Sequence, residues 1–156
     1  MKAMVVYDSV FGNTEKIAQA VGAALAVEAR RVGDLQPGQL AGLELLVVGS
    51  PTRGFRPTPA LSAWLKSLPA GSLQGVKVAA FDTRMTQEAV DTAVFFLKYL
   101  VKAFGYASKT IAKELQRAGG ELAAAEGFFV TGTEGPLVGG ELERATSWAG
   151  QLATAR

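Results

Sequence analysis

The residues Val5-Val6-Tyr7-Asp8-Ser9-Val10-Phe11-Gly12-Asn13-Thr14 place an apolar strand, a small hydroxyl-bearing turn and a helix start in immediate succession. Backbone N–H groups in such a turn converge on an anion. The helix beginning near Asn13 points the positive end of its dipole at the same spot, and Ser9 and Thr14 add hydroxyl donors. This is chemistry for gripping a phosphate. A nucleoside-triphosphate loop reads GxxxxGK[ST], with a lysine for the terminal phosphates; here Asn13 precedes Thr14 and no cation stands inside the turn. Charge-assisted hydrogen bonds contribute roughly 1.5–3 kcal/mol each and a helix terminus up to about 2 kcal/mol. A handful of such donors therefore holds one terminal phosphate without a lysine, and a mononucleotide fits better than ATP.

The remaining chemical inventory is bounded by absences. The 156 residues include no cysteine and no histidine, which removes thiolate nucleophiles, a disulfide framework, most zinc sites and Ser-His-Asp or Cys-His catalysis. Redox or group-transfer chemistry must then be borrowed from a cofactor. The formal charge of +2 is spread along the chain, which argues against a nucleic-acid partner, and a bound phosphate would roughly cancel it. With 49% apolar residues, a single domain spanning 1–156 can bury a core unaided. Met1-Lys2-Ala3-Met4-Val5 runs straight into the first strand, too short an apolar stretch for a signal peptide or a membrane span, so the expected location is cytoplasmic, without membrane insertion.

Positioning the turn is the task of a parallel sheet covered on both faces, because strand and helix patterns alternate. The pattern predicts strands at 4–7, 29–32, 45–49, 76–81 and 127–131, and helices at 13–26, 58–68, 88–104, 108–118 and 141–153. Inward stripes are expected from Ile17, Val21 and Leu25, from Leu61, Trp64, Leu65 and Leu68, and from Leu142, Ala145, Ala149 and Leu152, with Trp148 at the edge of the last. Right-handed crossovers then give an α/β three-layer sandwich, its five-stranded parallel sheet in the order 2-1-3-4-5, with ligands at the carboxyl ends of strands one and three. The segment from Glu88 to Phe104 is apolar around almost its whole circumference, with Asp91, Lys98 and Lys102 as a narrow polar stripe. Such a helix is a buried core element, a homodimer interface or a lid over the ligand.

Val5, Val6, Tyr7, Ser9, Gly12, Thr14 and Ala18 meet every specified position of the phosphate signature of flavodoxins: aliphatic, aliphatic, aromatic, any, Ser/Thr, two of any, small, any, Thr, three of any, Ala. The chain resembles that family there, and in element order over nearly its whole length. The resemblance implies a flavodoxin-like fold, FMN as cofactor, and electron shuttling between redox partner proteins. It assigns the phosphate to Ser9, Val10, Phe11, Gly12, Asn13 and Thr14. The ring falls to two later loops. In the first, Pro51, Thr52, Arg53, Gly54 and Phe55, the family usually offers a large apolar residue where Arg53 stands, so either Arg53 stacks on the ring or Phe55 covers it. Gly54 corresponds to a family glycine whose peptide can turn over beside flavin N5 in the semiquinone. In the second, Asp82, Thr83 and Arg84 are expected to meet the pyrimidine edge through their backbone, and the family's stacking tyrosine is absent, leaving Met85, the apolar helix or nothing for the outer face.

Arg53, Arg56 and Arg84 would make the rim basic. One charge about 5 Å from flavin N1 at an effective dielectric of about 20 is worth roughly 3 kcal/mol, or about 0.13 V, so the resemblance implies a weaker reductant than an acidic flavodoxin. Two other readings stay open. Pro51-Thr52-Arg53 also resembles the flavin loop of NAD(P)H:quinone oxidoreductases of this fold, with their Phe-Gly order reversed in Gly54-Phe55, and a module without FMN could work through residues 88–104 as an interaction partner. Lys109, Lys113 and Arg117 form a basic helix stripe that either docks an acidic partner or is simply solvated.

Overall fold

The structure, a computed structural model, describes residues 1–36, 38–86 and 106–155. The apolar helix expected between Glu88 and Phe104, with its dimer and lid readings, lies outside the described residues. Five strands, β1 (Ala3–Tyr7), β2 (Ala29–Arg31), β3 (Leu45–Pro51), β4 (Lys77–Met85) and β5 (Glu121–Val130), pair in parallel in the order β2-β1-β3-β4-β5. Among the described residues four α-helices connect and cover them: α1 (Asn13–Ala24), α2 (Pro59–Ser67), α3 (Ala107–Arg117) and α4 (Glu141–Thr154). This is the flavodoxin-like α/β sandwich.

Strand side chains alternate between faces, and the apolar runs of the central strands are long enough to fill both. Val6, Leu46 and Val48 pack under α2 and α3 with Leu61, Leu65, Ile111 and Leu115. Val5, Val47 and Phe81 pack under α1 and α4 with Ile17, Val21 and Ala149. Near-continuous burial on both sides is what a parallel sheet demands. Trp148, expected at an edge, is buried among Phe81 and Phe128 in a three-ring cluster with centroids 5.8–6.1 Å apart, all edge-on. The Phe81 ring occupies the space that a Cβ at Gly49 would need, its nearest atom only 2.0 Å away.

Two strands run well beyond their sequence pattern. The polar stretch Asp82-Thr83-Arg84 reads as loop, yet β4 continues through it to Met85 because β5, and β3 as far as Thr83, supply ladder partners. Leu122 to Ala125 has little intrinsic strand preference, but pairs with β4 across a bulge between Val78 and Ala79. Leu142, expected to face in, is 42% exposed. Its neighbour Glu141 turns inward instead, accepting the Phe129 N–H at 2.7 Å and two Arg144 hydrogen bonds at 2.9 and 2.7 Å. Arg144 also donates to the Gly127 carbonyl and lies 4.5 Å from the Phe128 ring centroid.

The Arg144 hydrogen bonds hold the Glu141 carboxyl below its ordinary range, against the opposing effect of burial, with help from the Phe129 N–H and the Arg144 charge. A carboxyl lowered by folding stabilises the native state above its unfolded pKa and ceases to do so as pH falls through the folded value. Glu141→Gln is therefore expected to cost about 1–3 kcal/mol at neutral pH. In denaturant titrations at a series of pH values, the difference from the parent protein should shrink on acidification.

Candidate functional site

The first wall of the site is the turn between β1 and α1. Gly12 caps α1 with φ at +92°, a left-handed conformation, and nothing lies within 4 Å of the position a Cβ would take. Ser9 Oγ accepts the N–H groups of Gly12 at 3.2 Å and Glu15 at 3.3 Å, folding the turn back on itself. The Ser9 N–H goes to Asp8 Oδ1 at 2.9 Å. Val10, Phe11, Asn13 and Thr14 are left with backbone N–H groups that have no acceptor among the described residues; for Asn13 and Thr14 this is what the first turn of a helix requires.

Three contacts fix this turn in place. Thr14 Oγ1 lies 2.8 Å from Thr83 Oγ1, both side chains buried, tying the turn to β4. Asn13 Nδ2 donates to the Glu134 carbonyl at 3.0 Å, tying it to the β5–α4 connection. Arg31, at the end of β2, backs the turn from outside: it donates to Asp8 Oδ1 at 3.1 Å, to the Ser9 carbonyl at 3.0 Å and to Glu15 Oε2 at 2.9 Å. The two carboxylates compensate its charge. Sequence reasoning missed Arg31, because only the β1–β2 register, Tyr7 opposite Arg31, brings it to the turn.

The second wall follows β3. Arg53 and Arg56 exchange backbone hydrogen bonds of 2.8 and 3.1 Å, closing a two-residue turn in which Gly54 (φ +54°) and Phe55 (φ +69°) are both left-handed. These are the φ signs of a type I′ turn. Glycine adopts them freely, whereas a side chain such as that of Phe55 pays about 1–2 kcal/mol. Thr58, which caps α2, donates its hydroxyl to Asp8 Oδ2 at 2.5 Å, so the far end of this loop is pinned to the first turn. Thr52 donates its N–H to the Thr83 carbonyl at 3.0 Å and accepts the Ala107 N–H on Oγ1 at 3.2 Å.

The third wall is the carboxyl end of β4, where the structure departs from a loop. Asp82 is fully buried, paired with Arg84 through two 2.7 Å hydrogen bonds, and accepts the Ser108 N–H at 2.9 Å at the start of α3. The Arg84 guanidinium stacks 3.7 Å from the Tyr106 ring centroid and covers Gly127, where a Cβ would collide with it. Arg84 is therefore not a free rim cation, and Asp82 is its counter-ion. Arg53 differs. Its guanidinium lies 5.5 Å from the Phe11 ring centroid and pairs with no carboxylate among the described residues.

Together these walls enclose a cavity of about 360 Å³. The first turn contributes Val10, Phe11, Asn13 and Thr14; the second loop contributes Pro51, Thr52, Arg53 and Gly54; β4 contributes Thr83, Arg84 and Met85. Ser9, Gly12, Phe55 and Asp82 lie outside the lining. The first two shape the turn, and Asp82 holds Arg84. A fourth wall, Val130, Gly132 and Thr133, was not anticipated; its sequence cue is Gly132-Thr133 just past the carboxyl end of the fifth strand, the edge where open α/β sheets place ligands. Val10 and Phe11 stand 50% and 44% exposed at the lip. Among the described residues no group of side chains could hold a metal ion, and no helix is long and apolar enough to cross a membrane.

No protein-family model matches the chain, and no curated protein matches it. Solved structures do. A flavodoxin from the domain Archaea is similar over 98% of this chain and 96% of its own, with a TM-score of 0.73 and 21% identity. Oxidised flavodoxin 1 of Bacillus cereus is similar over 100% and 99%, with a TM-score of 0.76 and 15% identity. A WrbA-like flavodoxin of Agrobacterium tumefaciens is similar over 97% and 94%, with a TM-score of 0.66 and 17% identity. At such identities the likeness establishes the fold, and the fold is that of flavodoxins.

Proposed function

We propose that the protein binds FMN in this cavity and passes electrons between redox partner proteins. The observation that carries the reading is the set of N–H groups on Val10, Phe11, Asn13 and Thr14, at and just before the start of α1, that have no acceptor among the described residues. Such a donor set suits a phosphate monoester. Gly12 leaves the cradle open, the Ser9 hydroxyl still has its proton to give, and one proton of the Thr14–Thr83 pair is free. Val10, Phe11, Pro51 and Met85 would supply apolar surface for the ring, and the peptides of Thr52 to Gly54 its polar contacts. FMN, when bound, supplies one- and two-electron chemistry that these side chains lack. The full-length likeness to flavodoxins supports the same reading.

Two residues would tune the site. Among the described residues Arg53 is the lining cation without a carboxylate partner, and it lines the cavity while Phe55 does not, which supports Arg53 over Phe55 as the residue that meets the ring. A positive charge there favours reduction. Arg84, cancelled by Asp82, contributes little. Turning over the Gly54–Phe55 peptide leaves positive φ at Gly54 alone, which releases Phe55 from its disfavoured conformation and lowers the cost of that motion.

Purified protein should show a flavin spectrum and take up electrons from dithionite in two resolved one-electron steps, with negligible NAD(P)H–quinone turnover. Absence of flavin after incubation with FMN, or rapid steady turnover, would contradict the reading. Gly12→Ala is expected to lower stability by about 1–2 kcal/mol and to weaken FMN binding, measured by denaturant titration and fluorescence quenching. Arg53→Glu should move the lower of the two potentials down by up to about 0.1 V in a spectroelectrochemical titration.

A further inference from the structure

Among the described residues the surface around the cavity is electrically one-sided. Arg31, Arg84, Arg117 and Arg144 are each compensated by a carboxylate. Arg53 and Arg56 on the second loop, Lys66 on α2, and Lys109 and Lys113 on α3 are exposed and pair with no carboxylate among the described residues. The turn from Arg53 to Arg56 makes them one surface. Arg53 lines the cavity, and Arg56 lines an adjoining groove of about 420 Å³ between α2 and α3, shared with Pro59, Lys66, Thr110 and Glu114. Lys109 and Lys113 flank Thr110 one helical turn apart on a neighbouring stripe. The groove's single carboxylate, Glu114, is taken by Arg117 at 2.8 Å.

Beside these cations stand the exposed apolar side chains of Val10 and Phe11. The opposite lip carries the exposed Glu134. An apolar centre flanked on one side by uncompensated charge of one sign favours fast, steered and short-lived association. We propose that this face docks a redox protein presenting an acidic surface, laid across the cavity mouth from the α2–α3 side. The purpose of the docking rests on the FMN reading; its charge geometry does not.

The test uses the FMN-loaded protein with poly-L-glutamate as an acidic probe. At low salt, amide shift changes should concentrate at residues 53–66 and 109–113, and about 0.5 M salt should abolish them. The triple variant Arg56→Glu, Lys66→Glu, Lys113→Glu should bind the probe at least about tenfold more weakly, with the flavin spectrum unchanged. In a second arm, one electron passes from the reduced protein to Fe(III)-EDTA, an anion, giving Fe(II), or to tris(phenanthroline)cobalt(III), a cation, giving Co(II). Added salt should slow the first reaction and not the second, and the triple variant should reverse that order. Shift changes spread equally over Lys2, Lys16 and Lys77, no probe binding at low salt, or a reaction with the anion that salt does not slow would each overturn the proposal. Protein that takes up no FMN would sink the functional reading, while the poly-L-glutamate map would still judge this surface.

Discussion

The site depends on a few peptide N–H groups that have no partner among the described residues. Helix α1 cannot satisfy its own first donors, those of Asn13 and Thr14, and in the turn before its left-handed cap Gly12 the N–H groups of Val10 and Phe11 also have no acceptor among the described residues. Unsatisfied donors are costly when dry and useful when an anion completes them. The surrounding structure holds this arrangement: Thr83 from β4, Glu134 from the β5–α4 connection and Arg31 from β2 each contact the turn from a different side. Sheet order is what makes this possible, since β1 lies between β2 and β3 and delivers the turn near the centre of the carboxyl edge.

Charge is arranged around the turn rather than within it. Arg31 reaches the outside of the turn, but Asp8 and Glu15 cancel it, so dipoles rather than a side-chain cation face the cradle. Arg84 is likewise bound to the buried Asp82 and serves α3 as much as the cavity. Among the described residues Arg53 is the lining cation that no carboxylate compensates. On the proposed reading Arg53 would bias the chemistry at the mouth and would share with Arg56, Lys66, Lys109 and Lys113 the steering of a partner.

Local features were readable from the residues, and features made by pairing were not. The first turn is contiguous, so its strand, hydroxyl, glycine and helix start declare themselves in order; the sheet order follows from alternation and handedness. Strand ends failed where tertiary context overrides propensity: Asp82 to Arg84 looks like loop and Leu122 to Ala125 has little strand preference, but β4 and β5 supply each other's ladder partners. Leu142 and Glu141 exchange their expected faces because Arg144 and the Phe129 N–H offer a buried carboxylate its partners. The Asp82–Arg84 pair, separated by one residue, was visible as types; that it is shut away with Ser108 was not, since Ser108 arrives through the α3 connection.

The most direct test is to compare the affinity of the unmodified protein for FMN and for riboflavin, which differ only in the phosphate. If the unpartnered N–H groups hold that phosphate, FMN should bind at least about a thousandfold more tightly, the equivalent of about 4 kcal/mol from several charge-assisted hydrogen bonds. Equal affinity for the two flavins would contradict the account.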